Sequence, residues 1–297
     1  MNREPKLKLP GRDPATAAVP PTIEPPTIEP PALEPTALEP TSQSQPRPRP
    51  RLWLELALVS IGYGLYTLSR DAVPIHEDAA FHRAAAILRV EHDLHLDVEL
   101  TVNHAADRIG PLIVGMNYYY ATLHFIVVIG VLVWLYAKDP DAYRPARTVL
   151  YSATALGLAG FYFFALAPPR LLPAHGYIDT VVEHHTWGSW ASGGVASVSN
   201  QYAAMPSVHI LWSSWCGLML YRYAARRWVR VAGIAYPFAT FVVIIATANH
   251  FVIDAAGGLL TLVAAIVGCR LVYARVGRDG SSGPGARTPI RRPNLAE

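Results

Sequence analysis

The chain has 297 residues, of which 52% are hydrophobic and only 16% charged, with a formal net charge of +3. A soluble globular domain is nearer a quarter charged. The composition therefore excludes an ordinary soluble domain, points to an integral membrane protein with the bilayer as partner, and gives no reason to expect a nucleic-acid partner.

Residues 1–50 hold more than half of the 26 prolines. They include a five-residue repeat: PPTIE (20–24), PPTIE (25–29), PPALE (30–34) and PTALE (35–39). Proline at this density blocks helix and sheet ladders, so an extended, disordered cytoplasmic tail is expected over 1–50. The tail turns basic in PRPRPR (46–51). No cleavable signal peptide is expected, because the first apolar run begins only at Leu52.

Six apolar stretches near bilayer length follow, at about 52–69, 111–137, 149–167, 206–222, 231–248 and 253–273. They predict an all-α membrane domain over 51–275, a bundle of six transmembrane helices. The polar, Gly/Pro-rich residues 276–297 read as a second disordered cytoplasmic tail. Between the first two stretches, FHRAAAILRVEHDLHL (81–96) sets apolar residues at helical spacing among charges. This predicts short amphipathic helices at the extracytoplasmic surface, serving as a lid or packing element. Cys216 and Cys269 stand inside apolar runs and read as small packing residues.

Basic residues set the direction. Arg47, Arg49 and Arg51 precede the first stretch, and Lys138, Arg144 and Arg147 follow the second. Arg222, Arg226, Arg227 and Arg230 lie between the fourth and fifth, and Arg270, Arg275 and Arg278 at or beyond the end of the sixth. Alternating helices put all of these on one side. That side is the cytoplasmic face of a multi-pass plasma-membrane protein, with both termini there.

Three polar clusters then fall at the opposite, extracytoplasmic face: APPRLLP (167–173), AMPSVH (204–209) and ANHFVID (248–254). Ionisable groups at membrane depth are costly and mark functional sites by default. Pro206 suits the first turn of a helix, which leaves the amides of Ser207, Val208 and His209 as an anion-binding end. The Ser207 hydroxyl adds a donor, and His209 stands ready to supply a proton. His250 and Asp254, spaced i, i+4, share a helix face, so the carboxylate can orient the ring and leave its other nitrogen free to attack. Asn249 adjoins His250. Arg170, the one cation of its loop, matches phosphate oxygens as a clamp. Together these residues describe a phosphoryl-transfer site that needs no metal and no cofactor. The helix ends carrying His209 and His250 are expected within about 10 Å of each other, the scale of one phosphate between two imidazoles.

MPSVH, a gap of about forty residues, and HFVID before a glycine pair resemble the type 2 phosphatidic acid phosphatase superfamily over about 51–275. Its signature is K-x6-R-P, then P-S-G-H, then S-R-x5-H-x3-D. The resemblance implies that His250 is a nucleophile forming a phosphohistidine, that Asp254 orients it, and that His209 protonates the leaving oxygen. Val208 replaces the glycine, Val243 and Ile244 replace the S-R pair, and PPR replaces R-P without the upstream lysine. These departures, with NYYYATLHF (117–125), look like the branch holding inositol phosphorylceramide synthases, sphingomyelin synthases and their bacterial relatives. That branch implies transfer of a phosphoryl or phospho-headgroup from a lipid phosphate or phospholipid to a lipid alcohol, as well placed as transfer to water. Tyr118 and His124 would line the acceptor pocket. Two other readings use the same residues. His209, His250 and Asp254 also make a two-histidine, one-carboxylate metal set. A non-catalytic lipid-binding or transport protein would keep the fold without the chemistry.

Overall fold

The computed structural model describes residues 51–71, 77–186 and 201–280. The chain divides into two units, 1–46 and 47–297. The first, with the predicted proline-rich tail, lies outside the described residues, as does most of the predicted tail at 276–297.

In chain order the second unit runs α1 (Leu52–Asp71), α2 (Glu77–Asp93), α3 (Glu99–Asp107), α4 (Gly110–Tyr118), a π-turn (Tyr119–Leu123), α5 (His124–Lys138) and α6 (Pro140–Phe163). Two 3-10 turns follow (Pro169–Leu171 and Pro173–His175), then α7 (Thr180–Glu183), α8 (Val208–Tyr223), α9 (Arg227–Ala246) and α10 (Val252–Gly280). Among the described residues there is no strand, only an isolated bridge between Leu166 and Ala203. The described part of the chain is all-helical.

Three helical rods are long and apolar enough to cross a membrane: Gly110–Lys138, Arg227–Ala246 and Val252–Val276. Helices also cover the other three apolar stretches, as α1, α6 and α8. With 16 residues, α8 is only about 24 Å long, short of a hydrocarbon core of about 30 Å. The third stretch is shifted from its expected bounds. α6 starts early because Asp139 caps it, accepting from the Ala142 amide, with Pro140 in the first turn. It stops at Phe163 because the chain beyond is drawn into extended pairing, where the Leu166 amide donates to the Tyr202 carbonyl at 2.7 Å.

The main core lies between α5, α6, α8 and α10, around Leu132, Leu135, Leu150, Leu211, Trp215 and Leu262. Trp215 is fully buried and its indole N–H donates to the Ala146 carbonyl at 3.0 Å, the partner a buried indole needs. Between helices in lipid, packing rather than water exclusion holds the interface, and small residues permit it. α8 and α9 cross where two glycines meet. A Cβ on Gly217 would lie 2.5 Å from the Gly233 carbonyl oxygen. Cys216 and Cys269 are free thiols, the first buried in this core.

Glu55 of α1 is buried against α6, paired with Arg147 and accepting from the Tyr143 hydroxyl at 2.8 Å. A buried pair is costly to break because one charge is left alone. Arg147→Met is therefore expected to lower stability by about 3–5 kcal/mol, read as a fall in melting temperature in detergent. Adding Glu55→Leu to that variant should recover most of the loss.

The predicted amphipathic segment is helical, as α2 and α3, and joins a second core. Ala80, Ala84 and Ile87 of α2 pack with Leu166, Leu172, Tyr177, Ala204, Ala248 and Phe251. Buried amides tie the connecting segments to this end of the bundle. Asn103 of α3 donates to the Ala246 carbonyl at 2.9 Å and accepts from the Ile178 amide at 3.0 Å. Asn117 of α4 donates to the Thr180 carbonyl and accepts from the Thr180 hydroxyl. Each amide makes bonds on both sides, so burial leaves neither unsatisfied.

Candidate active site

The three polar clusters meet at one end of the bundle. Ser207 is the N-cap of α8, its hydroxyl accepting from the Ile210 amide at 3.4 Å. Pro206 therefore precedes the helix instead of opening its first turn. It packs where Gly160 leaves room: a Cβ there would come within 2.4 Å of the proline ring. The Ser207 amide, expected among the open donors, instead donates to the Asp254 carbonyl at 3.0 Å. The cause is the close approach of α10. A Cβ on Gly258 would stand 2.4 Å from the Ser207 carbonyl oxygen, so only glycine allows these two helix ends to touch. The amides of Val208 and His209 follow in the first turn, where α8 itself supplies no acceptor.

The link from α9 to α10 is a tight turn. Ala248 adopts φ 49, the left-handed region in which glycine usually ends a helix. Its carbonyl accepts from the Arg170 amide at 2.8 Å. Asn249 is held by its side-chain N–H to the Thr247 hydroxyl at 2.9 Å, and its Oδ1 accepts from Arg170 Nε at 3.0 Å. The Arg170 guanidinium also donates to Asp179 at 2.8 Å and Gln201 at 3.3 Å. Backbone and side chain thus both fasten Arg170 beside the residue preceding His250.

Asp254 reaches back from the third position of α10, its Oδ2 accepting from the Phe251 amide at 3.0 Å. The same oxygen lies 3.4 Å from His250 Nδ1. Both residues are buried, and both ring nitrogens of His250 and Oδ1 of Asp254 lack a hydrogen-bond partner. Three unsatisfied polar atoms in one buried turn are the mark of a site built for something else to bind.

The rings of His209 and His250 stand 5.5 Å apart, centroid to centroid. His124 flanks His209 at 4.5 Å, edge-on, and its own Nδ1 is buried without a partner. Tyr120 stacks on His209 at 4.1 Å and 22°. Phe125 and Trp212 close the wall behind His124. Tyr120 and His124 come from the π-turn and the residue after it, a wide turn of the kind that often marks functional positions.

Of the predicted residues, the structure brings His209, His250, Asp254, His124, Asn249 and Arg170 into one neighbourhood, with Ser207 buried as the cap. Tyr118 ends α4, half-buried, two residues before the ring that stacks on His209. Sequence reasoning marked the tyrosine run but not Tyr120 within it. It also missed Glu91 and Glu99, which cap α10 through Ile253 and Val252, both at 2.8 Å. Their only sequence signal was being acids in an apolar helical pattern. No group of three or more histidine, cysteine, aspartate or glutamate side chains placed to hold a metal ion occurs among the described residues.

Comparison with curated proteins and with solved structures yields no match. A family model does match: that of the PAP2 superfamily, over residues 85–268. The matched region runs from α2 into α10 and contains every site residue named above. On that match the chain belongs to the PAP2 superfamily.

Proposed function

We propose that the protein is a multi-pass membrane phosphotransferase that takes a phosphoryl or phospho-headgroup from a lipid and passes it to a lipid alcohol or to water through a phosphohistidine on His250. Family membership supports a phosphatase-like activity on lipid phosphates. The observation that carries the finer reading is the pair of facing imidazoles, 5.5 Å apart, with a carboxylate behind one of them.

With Nδ1 toward Asp254, Nε2 of His250 is the free nucleophile. It forms the N–P bond as the bond from phosphorus to the leaving oxygen breaks, and His209 gives that oxygen its proton. In the second half His209 takes the proton of the acceptor hydroxyl, whose oxygen displaces His250 from phosphorus. Arg170 and the first-turn amides of α8 offset the charge on the phosphoryl oxygens, and the Ser207 hydroxyl is their neighbouring donor. Asn249 holds Arg170. His124, Tyr120 and Tyr118 are assigned to the acceptor side.

The aromatic wall of Tyr120, His124, Phe125 and Trp212 offers ring faces that suit the apolar chain of a lipid alcohol acceptor. That favours transfer, as does the likeness to the branch of inositol phosphorylceramide and sphingomyelin synthases. Hydrolysis is the same chemistry with water as acceptor. The reading places six spans in the plasma membrane, the termini in the cytoplasm and the site at the outer boundary, where the phosphate meets water and the lipid tails stay in the bilayer.

Incubating purified protein with lipid phosphates labelled in the phosphate tests this. A label retained on the protein, released by acid and lost in His250→Ala, is expected. Turnover without any protein-bound phosphate would refute the intermediate. Arg170→Lys should lower kcat/KM about 10- to 100-fold, since lysine keeps the charge but not the fork that spans Asn249, Asp179 and a phosphate.

A further inference from the structure

Glu91 and Glu99 come from two helices of the amphipathic segment, and neither exposes any surface. The first amides of α10 are shared out among three carboxyls: Phe251 to Asp254, Val252 to Glu99 and Ile253 to Glu91. A helix normally meets these donors with its own cap or with water. Here two of the three caps are reached from more than 150 residues away in sequence. Each glutamate spends one oxygen in this way. The other, Oε2 in both, has no donor, although the two carboxyls stand within hydrogen-bonding reach of each other. Two facing acceptors with no hydrogen between them repel, and one shared proton turns the repulsion into a bond.

We propose that Glu91 and Glu99 are positioning residues for the transfer reaction: a carboxyl pair sharing one proton, which clamps the start of α10 and so sets Asp254 against His250. The proposal rests on the assignment of that reaction to His250. The groups facing the pair are Asp254 from α10 and Tyr177 from the segment before α7, with Asp97 acting on Tyr177 from beyond. Each is an acid or a phenol, so none relieves the crowding of negative charge. Burial first, then the Glu99 and Asp254 carboxyls, push Glu91 up from 4.5 to about 8, against the pull of the Ile253 amide.

The sign follows. The folded pair keeps a proton that the unfolded chain gives up near the ordinary carboxyl value. Folding stability contributed by that proton is complete below 4.5 and is lost as pH rises to about 8. Above that, the shared proton is gone and the clamp opens.

The test is the kcat–pH profile and the melting temperature of the full chain in detergent, from pH 5 to 9, for wild type and Glu91→Gln. Glutamine keeps a carbonyl for the Ile253 amide and carries a permanent N–H for Glu99. Wild type is expected to lose kcat about tenfold per unit above pH 8 with KM unchanged, and to melt lower as pH rises. Glu91→Gln should hold its kcat at pH 9 and lose the slope in melting temperature. Glu91→Ala, which removes the cap, should lower kcat about 10- to 100-fold at every pH. A Glu91→Gln chain with the wild-type alkaline limb and slope overturns the shared proton, and full kcat in Glu91→Ala overturns the positioning role. His250→Ala separates this from the reaction itself: it should abolish turnover while keeping the wild-type slope. Turnover that survives His250→Ala would refute the reaction while the slope still reports on the pair.

Discussion

His250→Ala is expected to reduce lipid-phosphate turnover about 10³-fold or more, with the melting temperature close to wild type. On the proposed mechanism the bond to phosphorus forms at His250, and residues acting as one unit fail together. Asp254→Asn should cost nearly as much. It keeps the shape and the bond to the Phe251 amide, but an amide oxygen holds an imidazolium poorly and the ring loses its fixed tautomer. The double variant should be no worse than His250→Ala alone. Phosphate release from a panel of phosphatidate, polyprenyl phosphate and phosphoinositol lipids reads all three. Additive losses in the double variant would show that the two residues do not act together.

Gly258→Ala is the second large effect, and it involves no chemistry at all. The new methyl would need to sit 2.4 Å from the Ser207 carbonyl oxygen and 3.3 Å from its carbon. One helix end must retreat, and the Ser207 amide then loses the Asp254 carbonyl. Overpacking of this kind costs about 1–3 kcal/mol. Because the retreat separates His209 from His250, activity should fall further than stability, about 100-fold or more, as sub-ångström misplacement allows. Gly268→Ala on the same helix, with nothing within 4 Å of the added methyl, should leave both quantities unchanged. If Gly258→Ala behaves like Gly268→Ala, the contact between α8 and α10 does not set the site.

Much of this arrangement was legible in the sequence. Apolar run length gave a helix for each of the six stretches, and helical spacing in 81–96 gave α2. The i, i+4 spacing of His250 and Asp254 did bring ring and acid together, but not on a shared helix face: His250 lies in the turn before α10, and Asp254 reaches back to it from the third position of the helix. What failed was whatever depends on a second element. Pro206 looked like the opening of a helix, yet a cap at Ser207 and a carbonyl from α10 decided the matter. Tyr118 was marked and Tyr120 was not, because the π-turn breaks the 3.6-residue period from which faces are read. Glu91 and Glu99 were not singled out at all. No pattern within residues 77–107 reveals that their partners are the amides of Val252 and Ile253.

The π-turn also makes the site sensitive to counting. A five-residue turn between two ordinary helices stores one surplus residue, and dropping it would rewind the rod by about 100°. Everything on the α5 side would then swing round against α4, carrying His124 off the imidazole it now flanks. Side-chain exchanges in Tyr119–Leu123 can therefore erode the site by degrees. Loss of a single peptide unit there would dismantle it at one stroke, with all three histidines still in the chain.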